Sequence, residues 1–233
     1  MAELRVLTWN LFHGRSVPET RGPLFDEFAA TLVSWDWHVA LLQEVFPWWP
    51  PMLAGRCGAE QRAARTSRNL FLPVTRWIAD RRPDLIKSWG GGSNAILVRE
   101  RAILDHRRLS LRRRPERRVV HAVRLDSGLW VANLHASSHG EDPAVGDVAL
   151  ARSTALSWAG EAPLLLGGDF NVRSPQMPGF THAAGGRIDH VYSRGAEPAG
   201  PGIVLEHGIL SDHPPVLARI SFPVPQPPGG RQP

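Results

Sequence analysis

The sequence predicts an α/β fold of two packed β-sheets flanked by helices. Three observations lead there. Apolar runs of strand length recur from residue 4 to residue 221. Two longer stretches, 23–35 and 143–159, carry apolar residues at helical spacing. A turn at Asp126-Ser127-Gly128 joins two of the short runs as a hairpin. Hairpins mixed with interspersed helices suit two layered sheets better than one doubly wound sheet.

The elements follow in order. Leu4 to Leu11 reads as the first core strand and already carries Asn10. Pro23 to Trp35 has Leu24, Phe25, Phe28, Leu32 and Val33 on one helical face. Val39 to Val45 is a second strand that meets Gln43 and Glu44. Pro47 to Pro51 then breaks the chain, and Trp48-Trp49-Pro50-Pro51 reads as an exposed loop. Gln61 to Leu72 is Arg-rich and reads as helical, and Gly90-Gly91-Gly92 as a flexible approach to the third strand. Strands are expected near 94–99, 103–109, 118–125 and 129–135. The second helix, 143–159, has Val145, Val148, Ala149, Ala155, Leu156 and Trp158 as apolar positions. Strands near 163–168, 187–192 and 215–221 complete one domain over 1–222, and Gly167-Gly168 reads as a sharp exit from the first of them. From 223 onward proline and glycine dominate, which predicts a mobile tail. No internal repeat is visible.

A chain of 233 residues can bury one large core. It has no apolar run long enough for a bilayer. The amino terminus shows no signal-peptide pattern. The single cysteine, Cys57, excludes an intrachain disulfide and suits a reducing, cytoplasmic interior. A monomer is the expected form.

Polar residues able to bind metal or transfer protons stand at the strand ends. Leu164-Leu-Leu-Gly-Gly-Asp-Phe-Asn171 is the most informative of these segments. If the strand continued, Asp169 and Asn171 would project the same way. A carboxylate beside a neutral amide can hold a water and a phosphate oxygen together. Asn10, Glu44, His135, Ile188-Asp189-His190 and Ser211-Asp212-His213-Pro214 have the same setting. Singly, each has an ordinary explanation as a turn cap, a solvated strand end or a structural histidine. Their ordered recurrence over the whole chain argues for one shared site.

That order resembles the endonuclease–exonuclease–phosphatase superfamily, the metal-dependent phosphoesterases related to pancreatic deoxyribonuclease, abasic-site endonucleases and neutral sphingomyelinases. The matching pieces are Thr8-Trp9-Asn10, Leu42-Gln43-Glu44-Val45, Gly92-Ser93-Asn94-Ala95-Ile96-Leu97, Asn133-Leu134-His135, Gly167-Gly168-Asp169-Phe170-Asn171, Ile188-Asp189-His190 and Ser211-Asp212-His213-Pro214. The resemblance implies a four-layer α/β/β/α sandwich with the site where strand ends of both sheets converge. It implies Glu44 as the main ligand of Mg²⁺ (Mn²⁺ as an alternative), helped by Asn10 and Asp212, an oxygen set that suits a hard cation. Asp169 would deprotonate or orient the attacking water, and Asn171 would hold that water or a phosphate oxygen. His135 and His213 would sit against the phosphate, with Asp189 orienting His213. One departure stands out. In the deoxyribonuclease branch an acid just before the third strand pairs with the histidine at the His135 position. Here that neighbourhood reads Gly91-Gly92-Ser93-Asn94, so the pattern does not say what positions His135.

Net charge is +5, and the densest basic cluster spans Arg107 to Arg118. Beside a phosphoesterase site it would attract a polyanion in a salt-dependent way. Lys87 is the only lysine, so an arginine-biased composition explains part of this cluster. Nine tryptophans are many for this length. Most belong in the core; Trp48 and Trp49 are the candidates for base stacking or peripheral lipid contact. The segment between Asn171 and Asp189 is short, which suits an open site taking a single strand, a nucleotide or a small phosphoester. The first functional reading is hydrolysis of phosphodiester bonds in nucleic acid. The second is a phosphatase or phospholipase C-like hydrolase of inositol phosphates or phospholipids. The third is a partner-binding member without turnover.

Overall fold

A computed structural model describes residues 1–66, 76–78 and 91–223. Its first half builds one sheet and most of its second half the other. The first half comprises β1 (Ala2–Asn10), α1 (Phe25–Ser34), β2 (Val39–Val45), α2 (Trp49–Cys57), β3 (Glu60–Arg65) and β4 (Ser93–Val98). Then come β5 (Ile103–Arg112), β6 (Arg118–Leu125), β7 (Trp130–His135), α3 (Glu141–Ala159), β8 (Leu164–Asp169), β9 (Thr181–Gly185) and β10 (Asp189–Arg194). The short strands β11 (Glu197–Pro198) and β12 (Ile203–Val204) precede β13 (Val216–Phe222), which returns to the first sheet.

The first sheet runs β11-β13-β1-β2-β4-β3, with β12 also paired to β13; the second runs β5-β6-β7-β8-β10-β9. Each has one parallel pair, β1 with β2 and β7 with β8. A helix crosses over within each pair, α1 in the first and α3 in the second. Each parallel pair is flanked by antiparallel partners, β13 and β4 in one sheet, β6 and β10 in the other. The two halves thus share a topology that no sequence repeat announces.

Three apolar clusters define the layers. Phe28, Leu32, Trp49 and Leu53 of the helices pack on one face of the first sheet with Trp9, Leu42 and Leu97. Leu4, Val39, Ile96, Val123, Val131, Leu165 and Ile220 fill the space between the sheets. Ala144, Val148, Ala151, Ala155 and Ala159 of α3 lie on the outer face of the second sheet. The result is the four-layer α/β/β/α sandwich. The α3 face differs from the expected one, for Val145 and Ala149 face solvent. The face that packs is mostly alanine, which lets the helix approach the sheet closely.

Three local expectations are corrected. Glu60–Arg65 is not helical but the edge strand β3, antiparallel to β4; its charged side chains guard an open edge. The rest of the expected 61–72 helix lies outside the described residues, as do Gly90 and, beyond its first residue, the expected tail. Trp48–Pro51 is not an exposed loop, because α2 starts at Trp49 with proline in its first turn, where no backbone N–H is needed. Trp49 is buried against Phe25, Phe28 and Phe46, and Trp48 stacks on Phe46 at 4.9 Å. Gly167 and Gly168 lie inside β8 rather than ending it. A Cβ on Gly167 would sit 2.7 Å from Leu41 of the facing sheet, and one on Gly168 would overlap the Leu134 carbonyl of β7.

A polar bridge joins the sheets beneath the strand ends. Asn133 of β7 donates through Nδ2 to the carbonyls of Leu42 at 3.0 Å and Ala95 at 2.9 Å. Its Oδ1 accepts from Gln43 Nε2 at 2.8 Å. Both residues are fully buried, where hydrogen-bonded amides fix one arrangement against slippage. Gln43 immediately precedes Glu44, and Asn133 lies two residues before His135. The bridge therefore sets how the two strand ends face each other.

Candidate active site

The ends of both parallel pairs open on the same edge of the sandwich. β1 ends in Asn10 and β2 in Glu44 and Val45; β7 ends in His135 and β8 in Asp169. His135 and Asp169 are direct partners across the parallel pair, and Asp169 and Asp189 across the antiparallel pair. Pairing register alone thus delivers three titratable groups to one spot. Glu44 arrives by another device. The β2–β4 register shifts between Leu42 and Val45, and Glu44 has a positive φ of 50°. A bulge of this kind re-aims a side chain beside a site.

The side chains form a continuous row. Glu44 Oε2 is 3.3 Å from His13 Nε2, and its Oε1 is 3.9 Å from His135 Nε2. His135 Nε2 is 3.4 Å from Asp169 Oδ2. Asn10 Nδ2 donates to the same Oδ2 at 3.0 Å, while Asn10 Oδ1 accepts the Phe12 N–H at 2.9 Å. His213 Nε2 is 4.0 Å from Asp169 Oδ2, and its Nδ1 is 2.8 Å from Asp189 Oδ2. The His213 loop is tied to β1, since Ser211 Oγ donates to the Asn10 carbonyl at 2.6 Å and Trp9 Nε1 to the His213 carbonyl at 3.0 Å.

Asn10, Glu44, His135, Asp169, Asp189 and His213 therefore meet, drawn from residues up to 203 positions apart. Asn171 borders the same cleft, but not as a strand-like continuation. It has φ 51°, its N–H donates to Asp169 Oδ1 at 3.0 Å, and its Nδ2 donates to the Ala136 carbonyl at 3.1 Å. The carboxylate thus closes an Asx-type turn. Asp212 stands at the rim, its side chain 42% exposed and its Oδ1 4.0 Å from His213 Nε2.

Two residues escaped the sequence reading. His13 is buried with φ 51°, between Phe12 at 49° and Gly14 at 69°. Its only signal was a histidine-glycine step closing an otherwise apolar run. Arg118 was read as part of a basic surface cluster, yet it is only 6% exposed. Its Nη1 lies 2.9 Å from His135 Nε2, and its Nη2 donates to Glu116 at 2.7 Å and Ser138 at 3.1 Å. Arginine only donates, so His135 Nε2 accepts and the ring is neutral. Arg118 is the hydrogen-bond donor this chain sets against His135, with the Asp169 carboxylate 3.4 Å from the same nitrogen.

Electrostatics separate the groups. Burial, then the Asp189 charge, push the Asp169 carboxyl up to about 7 against the pull of His213 and the Asn10 and Asn171 hydrogen bonds. Burial pulls His213 down, but the Asp189 hydrogen bond and the charges of Asp189, Asp169 and Asp212 outweigh it and raise the imidazole to about 9. Burial, with Arg118, His213 and His13 as positive neighbours, holds His135 well below its ordinary value. A buried base beside a cationic imidazole is suited to taking a proton from water. Cys57 plays no part; it is buried, and burial raises its thiol.

Ligand atoms of Asp169, Asp189 and His213 lie within 4.8 Å of one another, compact enough for a metal ion. Strain also concentrates at this edge. Of the six non-glycine residues with positive φ among the described residues, Phe12, His13, Glu44, Asn171 and Ser211 adjoin the site. Strained backbone held by its surroundings gathers where function constrains it.

The model of the Endonuclease/Exonuclease/phosphatase family matches residues 7–213. The chain belongs to that family. Family members are generally phosphoester hydrolases, and the matched span contains every site residue described above, from Asn10 to His213. Solved structures carry the same fold. One is an endonuclease/exonuclease/phosphatase from Beutenbergia cavernae, 18% identical, with TM-score 0.73 over 95% of this chain and 72% of that one. Another is a mannosyl-6-phosphatase from Bacteroides thetaiotaomicron, 15% identical, with TM-score 0.68 over 94% of this chain and 100% of that one. A third is TDP2 from Caenorhabditis elegans, 14% identical, with TM-score 0.68 over 94% and 74%. No curated protein matches the chain. Among the described residues no helix is long and apolar enough to cross a membrane.

Proposed function

We propose that this family member is a divalent-metal-dependent hydrolase of phosphodiester bonds in nucleic acid. The reading rests on the unbroken row Glu44–His135–Asp169–His213–Asp189. The donor set suits Mg²⁺, with Mn²⁺ as the alternative. Glu44 offers a partly exposed carboxylate, Asn10 Oδ1 keeps a second lone pair beyond its bond to Phe12, and Asp212 stands at the rim. Bound there, the ion withdraws charge from the phosphate and stabilises the leaving oxygen. The Asp169–Asp189–His213 cluster is also compact enough for a cation, but His213 Nδ1 is engaged by Asp189. We assign that cluster to acid–base work.

Water attacks phosphorus as its proton passes to Asp169. The bond to the leaving oxygen breaks, and that oxygen takes a proton from solvent. Asn10 and the Asn171 N–H hold the Asp169 carboxylate in place. Protonated His213, oriented by Asp189, stabilises charge on the phosphoryl oxygens, aided by Asn171, while neutral His135 accepts from the Arg118 guanidinium. The polyanion preference is supported by the hairpin between β5 and β6, where Arg113, Arg114 and Arg117 are exposed next to Glu116 and Arg118 of the site. Not all of the basic cluster is free for this, since Arg107 pairs with Asp105 and Arg112 with Asp147.

The second reading, a phosphatase or phospholipase C-like hydrolase, draws support from the small cavity beside His135 and from the solved mannosyl-6-phosphatase of the same fold. Its lipid branch has lost its expected anchors, for Trp49 is buried and Trp48 is stacked on Phe46. A panel of DNA, RNA, nucleotides, inositol phosphates and phospholipid vesicles, each assayed with Mg²⁺ and with EDTA, separates these. Metal-dependent cleavage of DNA or RNA is expected. Turnover of phosphomonoesters alone would replace the first reading with the second, and no hydrolysis of any member would leave the binding-only alternative.

A further inference from the structure

The face that α3 packs on the second sheet is built of Ala144, Val148, Ala151, Ala155 and Ala159. Asp147 interrupts it, with a side chain only 3% exposed. Alanine would fill that position at no electrostatic cost, whereas a buried carboxylate is costly unless it is paired. Its partners show what it holds. Oδ1 accepts from Arg112 Nε at 3.3 Å, and Oδ2 accepts the Ser137 N–H at 3.0 Å. Arg112 has a second anchor on α3, donating through Nη2 to the Pro143 carbonyl at 3.3 Å. The Ser137 N–H belongs to the same peptide unit as the Ala136 carbonyl. That carbonyl accepts from Asn171 Nδ2 at 3.1 Å. The unit is trans and planar, so its N–H and C=O point in opposite directions. One peptide plane therefore spans from Asp147 to Asn171. Hydrogen bonds linked in this way strengthen one another. The turn also touches the rest of the site, for Ala136 N–H donates to the Asp169 carbonyl at 2.9 Å and Ser138 Oγ accepts from Arg118 Nη2 at 3.1 Å.

We propose that Asp147 is a positioning residue for the reaction, fixing the Ala136–Ser137 peptide plane and through it the side-chain amide of Asn171. The inference rests on the hydrolase reading, in which Asn171 acts on the phosphoryl oxygens. With one Nδ2 hydrogen on the Ala136 carbonyl, Asn171 keeps its other Nδ2 hydrogen and its Oδ1 for the reacting groups. Asn171, Ser137 and Ser138 line a cleft of about 320 Å³, so a substrate reaches that amide from the open side while Asp147 holds the peptide from the buried side. Without the Asp147 bond the plane is free to rotate, and the amide loses its fixed direction. Asp147 touches no reacting atom. It acts through one peptide unit, and its loss costs rate more than affinity.

The test uses three variants of the full chain. Asp147→Ala continues the alanine face, and Asp147→Asn keeps an oxygen able to accept the Ser137 N–H. Ala155→Gly, further along α3, loosens the helix alone and is the control; thermal melting ranks all three. Each is assayed with Mg²⁺ on the phosphoester of the panel above that wild type cleaves. Asp147→Ala is expected to lower kcat by about tenfold or more with KM changed by less than about threefold. Asp147→Asn should recover most of that loss, and Ala155→Gly should match wild type below its melting temperature. In NMR spectra of the metal-free protein, the Asn171 side-chain amide signal should move in Asp147→Ala and stay in place in Ala155→Gly. Wild-type kcat in Asp147→Ala, an equal loss in Ala155→Gly, a loss that asparagine does not recover, or an unmoved Asn171 signal each overturns the proposal. Should Asp147→Ala not fold, hydrogen exchange of wild type decides: a Ser137 amide as slow as those of β7 supports the clamp, and a fast one overturns it. If wild type cleaves no phosphoester, the hydrolase reading falls, and the Asn171 signal alone decides whether Asp147 orients that amide.

Discussion

His213 has its orientation from a single hydrogen bond, Nδ1 to Asp189 Oδ2 at 2.8 Å. Asp189 is thus a positioning residue. Asp189→Asn keeps the shape but replaces an acceptor with an amide that favours the other tautomer. Its expected effect is a fall in kcat of about 10²–10⁴-fold, with KM changed far less; steady-state kinetics on any cleaved substrate measure the split, and a pure KM effect would remove the orienting role. A second residue-scale prediction lies away from the site. His121 is fully buried between the sheets, and burial, with some help from His106, lowers it from 6.5 to about 3. The unfolded chain takes up a proton there below about pH 6.5, whereas the folded chain does not until about pH 3. Stability contributed by this residue is therefore present near neutrality and lost as pH falls between those values, by up to about 1.4 kcal/mol per pH unit. Urea unfolding at pH 7 and pH 5 should show a smaller loss in His121→Gln than in wild type. Equal losses would mean that His121 is not the group responsible.

At the scale of elements, β8 explains why two glycines precede the central carboxylate. Gly168 has φ 138° and leaves no room for a Cβ against the Leu134 carbonyl. Its freedom lets β8 lie close to β7, and so brings Asp169 beside His135. Gly168→Ala should destabilise the fold by more than about 4 kcal/mol or abolish soluble expression, because strained φ and backbone overlap combine. Denaturant unfolding reads this, and a loss below about 1 kcal/mol would mean that the strand relaxes easily. The sequence showed an apolar run, two glycines and an acid, and it was read as a strand with a sharp exit. Whether glycine turns a chain or admits a close neighbour depends on what packs against it, which no local pattern contains. The same holds for Trp49. Tryptophan followed by proline resembles a loop locally, and only the aromatic groove of Phe25, Phe28 and Phe46 makes it the start of a helix.

The whole molecule carries its charge unevenly around the site edge. Arg113, Arg114 and Arg117 are exposed on the β5–β6 hairpin, while Arg118, one residue later, is withdrawn into the cleft. If the hairpin guides a polyanion, affinity for single-stranded nucleic acid must fall steeply with salt. Replacing the three exposed arginines by glutamine should then lower the slope of log K against log salt by about 0.7 for each phosphate contact removed. Fluorescence anisotropy over a salt series measures it. An unchanged slope would assign the basic excess to composition alone and strengthen the small-substrate reading.

The amino-acid order alone pointed to the family, the fold class and the candidate residues Asn10, Glu44, His135, Asp169, Asn171, Asp189, Asp212 and His213, because strand periodicity and the order of the polar motifs at strand ends are legible along the chain. Tertiary structure decided the rest. It made β3 a strand, buried Trp49, and turned Arg118 from a surface cation into the neighbour of His135. It also revealed His13 against Glu44. Each of these depends on which distant side chain fills the adjoining space, and distance in space is set by sheet register and close packing rather than by position along the chain.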